Sequence, residues 1–181
     1  MKWSKWRPCK EYDVLYFDSA HLEESNYEDD NVFLLGSLPS SSFTASSYLN
    51  STTQAQHSPE FTARNLGWFA KDNDNKQWIQ VDLLYPRFIA EIKLASAKND
   101  KDARVVAFKL FGGLYTEDLM RFTQMDLEGP NSDKRVTFRK LMFVRIVRLE
   151  PAKWANQIAM RWEFVQASSK CDNLLNFVPI E

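Results

Sequence analysis

Apolar side chains recur at every second position in three separated stretches of this chain, and that period decides most of what it can fold into. Ile79, Val81 and Leu83 alternate with Trp78, Gln80 and Asp82. Phe88, Ala90, Ile92 and Leu94 form a second set, and Ile158, Met160, Trp162 and Phe164 alternate with Ala159, Arg161, Glu163 and Val165. A period of two places each set on one face of a β-strand. Arg104–Phe111 reads as another strand, ended by the turn signal Gly112-Gly113, and Val136–Phe138 as a short one. Leu141–Leu149, rich in β-formers, is expected to stop before Pro151. The connecting stretches SLPSSS, KDNDNK, KNDKDA and EGPNSDK are full of turn residues, and no window carries a helical period. Many short strands separated by polar turns predict an all-β chain, an antiparallel β-sandwich or barrel.

One core is enough for the length. At 181 residues, with 44% hydrophobic and 14% aromatic residues, the chain suits a single domain without an internal repeat. No apolar run reaches bilayer-spanning length. The start, MKWSKWRPCKEYDV, lacks the apolar stretch of a signal peptide. Charge is uneven: residues 11–30 hold eight acids and no Lys or Arg, an acidic lead-in over 1–33. Residues 31–181 carry 19 basic against 16 acidic side chains, far from the basic footprint of a nucleic-acid binder. Cys9 and Cys171 show no zinc-type spacing; they read as two free thiols or as a bond joining the ends.

Several residues invite chemistry. Asp82, Arg161 and Glu163 lie on strands built for burial, where a charge persists only when paired and hydrogen-bonded. An Arg–carboxylate pair meets that need, so Asp82 is expected to be a scaffold acid paired with Arg161, not a catalyst. Asp72-Asn73-Asp74-Asn75 resembles the start of a calcium loop, but the required Gly and Glu are Gln77 and Leu83, so a solvated turn is expected. His21 and His57 sit in no metal or nucleophile motif, and the serine-rich SLPSSSFTASS has no nucleophile elbow. Asn50-Ser51-Thr52 is an N-glycosylation sequon. Trp68 and Phe69, after Gly67, are candidates for exposed anchors or for core.

Six ordered pieces resemble one family: Phe43-Thr44-Ala45-Ser46-Ser47, Thr62-Ala63-Arg64, Gln77–Leu83, Phe143–Ile146, Pro151–Trp154 and Met160–Glu163. This is the discoidin domain family, also called the coagulation factor V/VIII type C domain, of galactose-binding-like fold. The likeness spans residues 34–171 and leaves 172–181 as a C-terminal tail. It implies a jelly-roll β-sandwich of about eight main strands with long loops at one end. It also implies a binding module, not an enzyme, whose loops take phospholipid head groups, glycans or proteins such as collagen. Trp78 joins Asp82, Arg161 and Glu163 among the structural residues. A Cys9–Cys171 disulfide follows from the same likeness, as does an extracellular or cell-surface location. No cofactor is implied, apart from the structural calcium of some glycan-binding relatives. The chain departs from the family pattern in three places: Cys9 lies far upstream, the terminal Gly-Cys is Ser169-Lys170-Cys171, and the stretch from Arg64 to Trp68 is short.

By the resemblance three loops form the site: Tyr48–Pro59, Asn65–Lys71 and Lys98–Arg104, with the Asn156-Gln157 turn beside them. Its expected ligand-binding residues are Tyr48, Leu49, Trp68, Phe69, Lys98, Lys101, Arg104 and Asn156. Tyr48 and Leu49 occupy the apolar tip of the first loop. The third loop, KNDKDAR, is polar with mixed charge, which favours a glycan or protein ligand over a strong lipid anchor. Binding to anionic phospholipid is the first alternative, and a role as the accessory binding domain of a carbohydrate-active enzyme is the second.

Overall fold

A computed structural model describes residues 32–60, 65–126 and 134–167. The two cysteines, the Thr62–Arg64 motif, most of the acidic lead-in and the C-terminal tail lie outside the described residues. The strands are β1 (Val32–Phe33), β2 (Phe43–Ala45), β3 (Trp68–Phe69), β4 (Ile79–Ala95), β5 (Arg104–Gly113), β6 (Met120–Asp126), β7 (Lys134–Ala155) and β8 (Ala159–Gln166). Short 3-10 turns punctuate the connections, and no α-helix occurs among the described residues. Antiparallel pairing runs in the order β1-β8-β4-β7-β5-β6, with β2 added to β4 and β3 to β8.

Two long strands let this sheet fold back on itself. The first part of β4 pairs Ile79–Asp82 with Leu149–Ile146 of β7 and also with β2. Its second part pairs with β7 again and with β8. Between them the register jumps from Asp82↔Ile146 to Arg87↔Val144, so residues 83–86 stand opposite Arg145 alone. Extra residues on one strand bend it sharply. Ile79, Val81 and Leu83 from before the bend, Ile92 and Leu94 from after it, and Trp162 and Phe164 of β8 enter one core. This is the β-sandwich that the alternation predicts.

Three local expectations are corrected. The run Phe88, Ala90, Ile92, Leu94 does not share one face: Ile89 is fully buried, while Phe88 and Ala90 are half-buried. A second register shift between Ile89 and Glu91 leaves Ala90 as one extra residue against β8 and flips the phase. Gly112-Gly113 is not a turn but the end of β5. A Cβ at Gly112 would collide with the Phe122 ring and with Val144, so the glycine marks close packing. Pro151 does not stop its strand either; β7 is continuous from Lys134 to Ala155. Pro151 faces Phe108 next to a bulge, where a missing N–H is tolerated.

Candidate functional site

The end of the sandwich where β7 turns into β8 gathers the loops that carry most of the expected ligand-binding residues. Leu49 N–H donates to the Phe69 carbonyl (3.0 Å), tying the first loop to the second. Gly67 N–H reaches His57 O (3.1 Å), and Lys98 N–H reaches Leu66 O (3.0 Å), which adds the third loop. Arg104 is the cross-strand partner of Ala155, so the third loop also borders the Asn156 turn. Asn156 adopts φ +52°, a left-handed conformation that asparagine tolerates. Gln157 N–H closes that turn on Ala155 O at 2.6 Å.

Beneath the loops lies a frame of polar side chains. Asn73 is bivalent: Nδ2 donates to Asn156 O (3.2 Å), and Oδ1 accepts from Ile158 N–H (2.8 Å). Buried Gln77 accepts from the hydroxyls of Ser46 and Ser47 and donates to Asp74 Oδ1 (2.8 Å). The Gln77 bond, with the Lys76 N–H, holds the Asp74 carboxyl below its ordinary range. Asp72–Asn75 is thus more than a solvated turn: two of its four side chains fasten the loop end. Asn73 does not stand out in the sequence, and Gln77 does so only as the head of the Gln77–Leu83 motif, because their polar roles depend on partners about 30 to 85 positions away.

Exposure sorts the expected residues. Tyr48 and Leu49 are 50% and 49% exposed, a pair of apolar tips on a bonded loop. Phe69 is half-buried against Ala97, Ala103 and Ala159. Trp68 is corrected: it is fully buried, and its Nε1–H donates to Ser47 O (2.8 Å). Paired with Met160 and Ala159 across β3 and β8, consecutive residues point to opposite faces, so Trp68 enters the core and Phe69 does not. Lys98, Lys101 and Asn156 are exposed. Arg104 folds back on its own loop, donating from Nη1 to Lys101 O (3.2 Å), with Asp102 at 3.9 Å. Among the described residues no three His, Cys, Asp or Glu side chains gather as a metal-binding group.

The residues expected to be structural are placed elsewhere. Asp82 does not pair with Arg161. Arg145 on the neighbouring strand grips it bidentately, Nε to Oδ1 at 2.8 Å and Nη2 to Oδ2 at 2.7 Å. Asp82 lies on the outward face of β4 and is only partly buried, as its alternation with Ile79, Val81 and Leu83 requires. The Arg145 bond keeps its carboxyl below the usual range. Arg161 instead donates to Ser96 O (2.9 Å). On the same outward face the Arg148 guanidinium lies 4.4 Å from the Trp78 ring centroid. Glu163 is fully buried, and Oε1 accepts from the N–H groups of Leu34, Leu35 and Phe164. Oε2 has no partner among the described residues, and burial raises the pKa.

Comparison with known proteins places this geometry. Residues 42–164 match the F5/8 type C domain model. Lactadherin of Mus musculus is 29% identical over 109 residues, covering 54% of this chain and 23% of the relative. Neuropilin-1 of Homo sapiens is 28% identical over 138 residues, covering 71% of this chain and 15% of the relative. The matched part is therefore a small fraction of each of these longer proteins. The fold is shared with the family 32 carbohydrate-binding module of C. perfringens NanJ, solved with galactose (TM-score 0.61, 13% identity, 75% of this chain and 99% of that one). With the bent antiparallel sandwich and its cross-bonded loop end, the match over 42–164 shows that the chain belongs to the F5/8 type C domain family.

Proposed function

We propose that this domain is a non-catalytic recognition module of a secreted or cell-surface protein, binding a glycan or protein ligand through its loop end. One observation carries the reading. Loops far apart in sequence are hydrogen-bonded into one surface from which Tyr48 and Leu49 project, beside the polar third loop. Such a surface is rigid where it must be and variable where specificity is needed. An aromatic ring supplies a face for a sugar or an apolar side chain, and Lys98, Lys101 and Asn156 supply donors. The third loop carries Asp100 and Asp102 among its cations, and Arg104 is engaged by its own loop. That balance weakens attraction to an anionic bilayer.

The exposed Tyr48-Leu49 pair supports a second reading, insertion into a membrane surface. A glycan array run beside flotation with phosphatidylserine vesicles separates the two. Array or protein binding lost in Tyr48→Ala or in Lys98→Glu/Lys101→Glu is the expected result. Salt-sensitive flotation with a blank array would instead establish the membrane reading. If neither double variant, Tyr48→Ala/Leu49→Ala or Lys98→Glu/Lys101→Glu, alters any binding while folded, the loop end is not the site.

A further inference from the structure

We propose that Asn50 carries an N-linked glycan, and that this glycan bars the Tyr48-Leu49 tip from membranes while leaving soluble ligands access. This deepens the loop-end reading and rests on it. The sequon Asn50-Ser51-Thr52 lies in the first loop, and all three residues are exposed. Asn50 Oδ1 accepts from both the N–H (2.9 Å) and the hydroxyl (2.8 Å) of Thr52. Nδ2, the atom to be modified, donates to no acceptor among the described residues, so a glycan there displaces no bond of the fold. In the transfer Nδ2 forms a bond to the anomeric carbon of a polyprenyl-pyrophosphate-linked oligosaccharide. The bond from that carbon to the pyrophosphate oxygen breaks, the pyrophosphate leaves with the electron pair, and Nδ2 loses one proton.

Position turns this modification into control. Asn50 follows Leu49 directly, at a Cα spacing of about 3.8 Å. Insertion of Tyr48 and Leu49 sinks a tip by roughly 5–10 Å into the headgroup boundary. A hydroxyl-rich oligosaccharide anchored one residue away would have to enter with them, and burying unpaired polar groups opposes that. The third loop, bonded to the second through Lys98 N–H and Leu66 O, carries no sequon of its own, and its polar face is left to soluble ligands.

The test needs variants that remove the glycan without disturbing the loop. Asn50 caps the 3-10 turn Ser51–Thr53, accepting from Thr52 N–H while its own N–H donates to Thr53 Oγ1, so replacing it confuses two effects. Ser51→Pro is preferable. A proline in the middle position abolishes the sequon, the first helical position tolerates it, and Asn50 (φ −158°, ψ 177°) already has the extended backbone required before proline. Thr52→Ala, which keeps the Thr52 N–H bond to Asn50 Oδ1 but loses the hydroxyl one, is the second variant and controls for the proline. The whole chain is produced in a secretory eukaryotic host, and intact mass with peptide mapping is read before and after peptide-N-glycosidase treatment. The parent should carry hexosamine-containing mass on Asn50, and both variants none. Flotation with phosphatidylcholine–phosphatidylserine vesicles should be about tenfold stronger for Ser51→Pro than for the glycosylated parent. An exported, folded parent bare at Asn50 overturns the modification. Equal flotation of the two forms, or none by either, overturns the barrier. Failure of the loop-end reading is distinct: it appears as array and protein binding indifferent to the Tyr48 and Lys98/Lys101 changes, whatever the mass at Asn50.

Discussion

Asp82 serves two partners at once. Its carboxylate clamps Arg145 and also accepts the Leu84 N–H at 2.7 Å, holding Leu84 at φ +67° in the bulge. A left-handed leucine is strained, so its neighbour must hold it there. Asp82→Ala is expected to destabilise by about 1–2 kcal/mol, less than a fully buried pair would, because the site is partly solvated. A double-mutant cycle of Asp82→Ala with Arg145→Ala should be non-additive, whereas Asp82→Ala with Arg161→Ala should add to within about 0.5 kcal/mol. Denaturant unfolding of the five variants checks this, and coupling to Arg161 would restore the pairing expected from sequence. Glu163 titrates in the opposite sense. Burial raises its pKa despite three backbone donors, with the nearby Glu60 charge adding to the rise. The folded state then holds the proton more tightly than the unfolded, so ionised Glu163 lowers stability at neutral pH and the penalty fades on acidification. Glu163→Gln, which does not titrate, should gain on the parent at pH 7 and lose that gain as pH falls toward the ordinary glutamate value of 4.5. An unchanged difference across that range would mean that Glu163 is not the titrating group. Asp82, with its lowered pKa, adds stability above the unfolded value that disappears only as pH falls through the folded one.

Elements differ in how far their sequences announced them. Ile79–Leu83 alternates cleanly because one face meets the core and the other meets solvent and charged neighbours. The second half of β4 misled because a bulge depends on how many residues its partner strand places opposite, which no single strand encodes. The partner of Asp82 is hidden for the same reason: only the register Asp82↔Ile146 brings Arg145 beside it. Two residues of β3 are too few to reveal a period, so Trp68 and Phe69 could not be told apart. The loops themselves were legible through resemblance, and their bonding was not. Gly67 is the point where the second loop depends on one backbone choice. Its φ is +113°, and a Cβ would lie 3.0 Å from Met160 O and 3.2 Å from Arg161 Cγ. Gly67→Ala should destabilise by about 1–3 kcal/mol and weaken ligand binding together. Asn73→Ala removes both of its bonds to the Asn156 turn, leaving the Gln157 Nε2–Ala70 O bond. It should raise amide exchange locally at Asn156–Ile158, leaving β4 and β5 protected; uniform loss of protection would refute that local role.

Across the molecule, the buried core and the surface proposed for recognition draw on different residues. The Tyr48→Ala/Leu49→Ala variant should unfold within about 0.5 kcal/mol of the parent for each exposed change. A true contact residue should nevertheless lose about 1–2 kcal/mol or more of binding. Calorimetric melting and titration on the same samples would read both quantities. A large stability loss would move the pair from the surface into the scaffold.

Val32 lies across from Gln166, so the described chain enters and leaves the sandwich side by side. The eight residues of β8 separate that point from the Asn156 turn by about 25 Å at roughly 3.3 Å per residue. A tether attached at either end therefore pulls on the pole opposite the loops. Tension drawn between Val32 and Gln166 would peel β1 from β8 one hydrogen bond at a time, then meet Leu34 and Leu35, latched to the Glu163 carboxylate. Among the described residues the mechanical fuse is thus the pairing of β1 with β8 at the base, and it can yield while the loop end proposed for recognition stays intact.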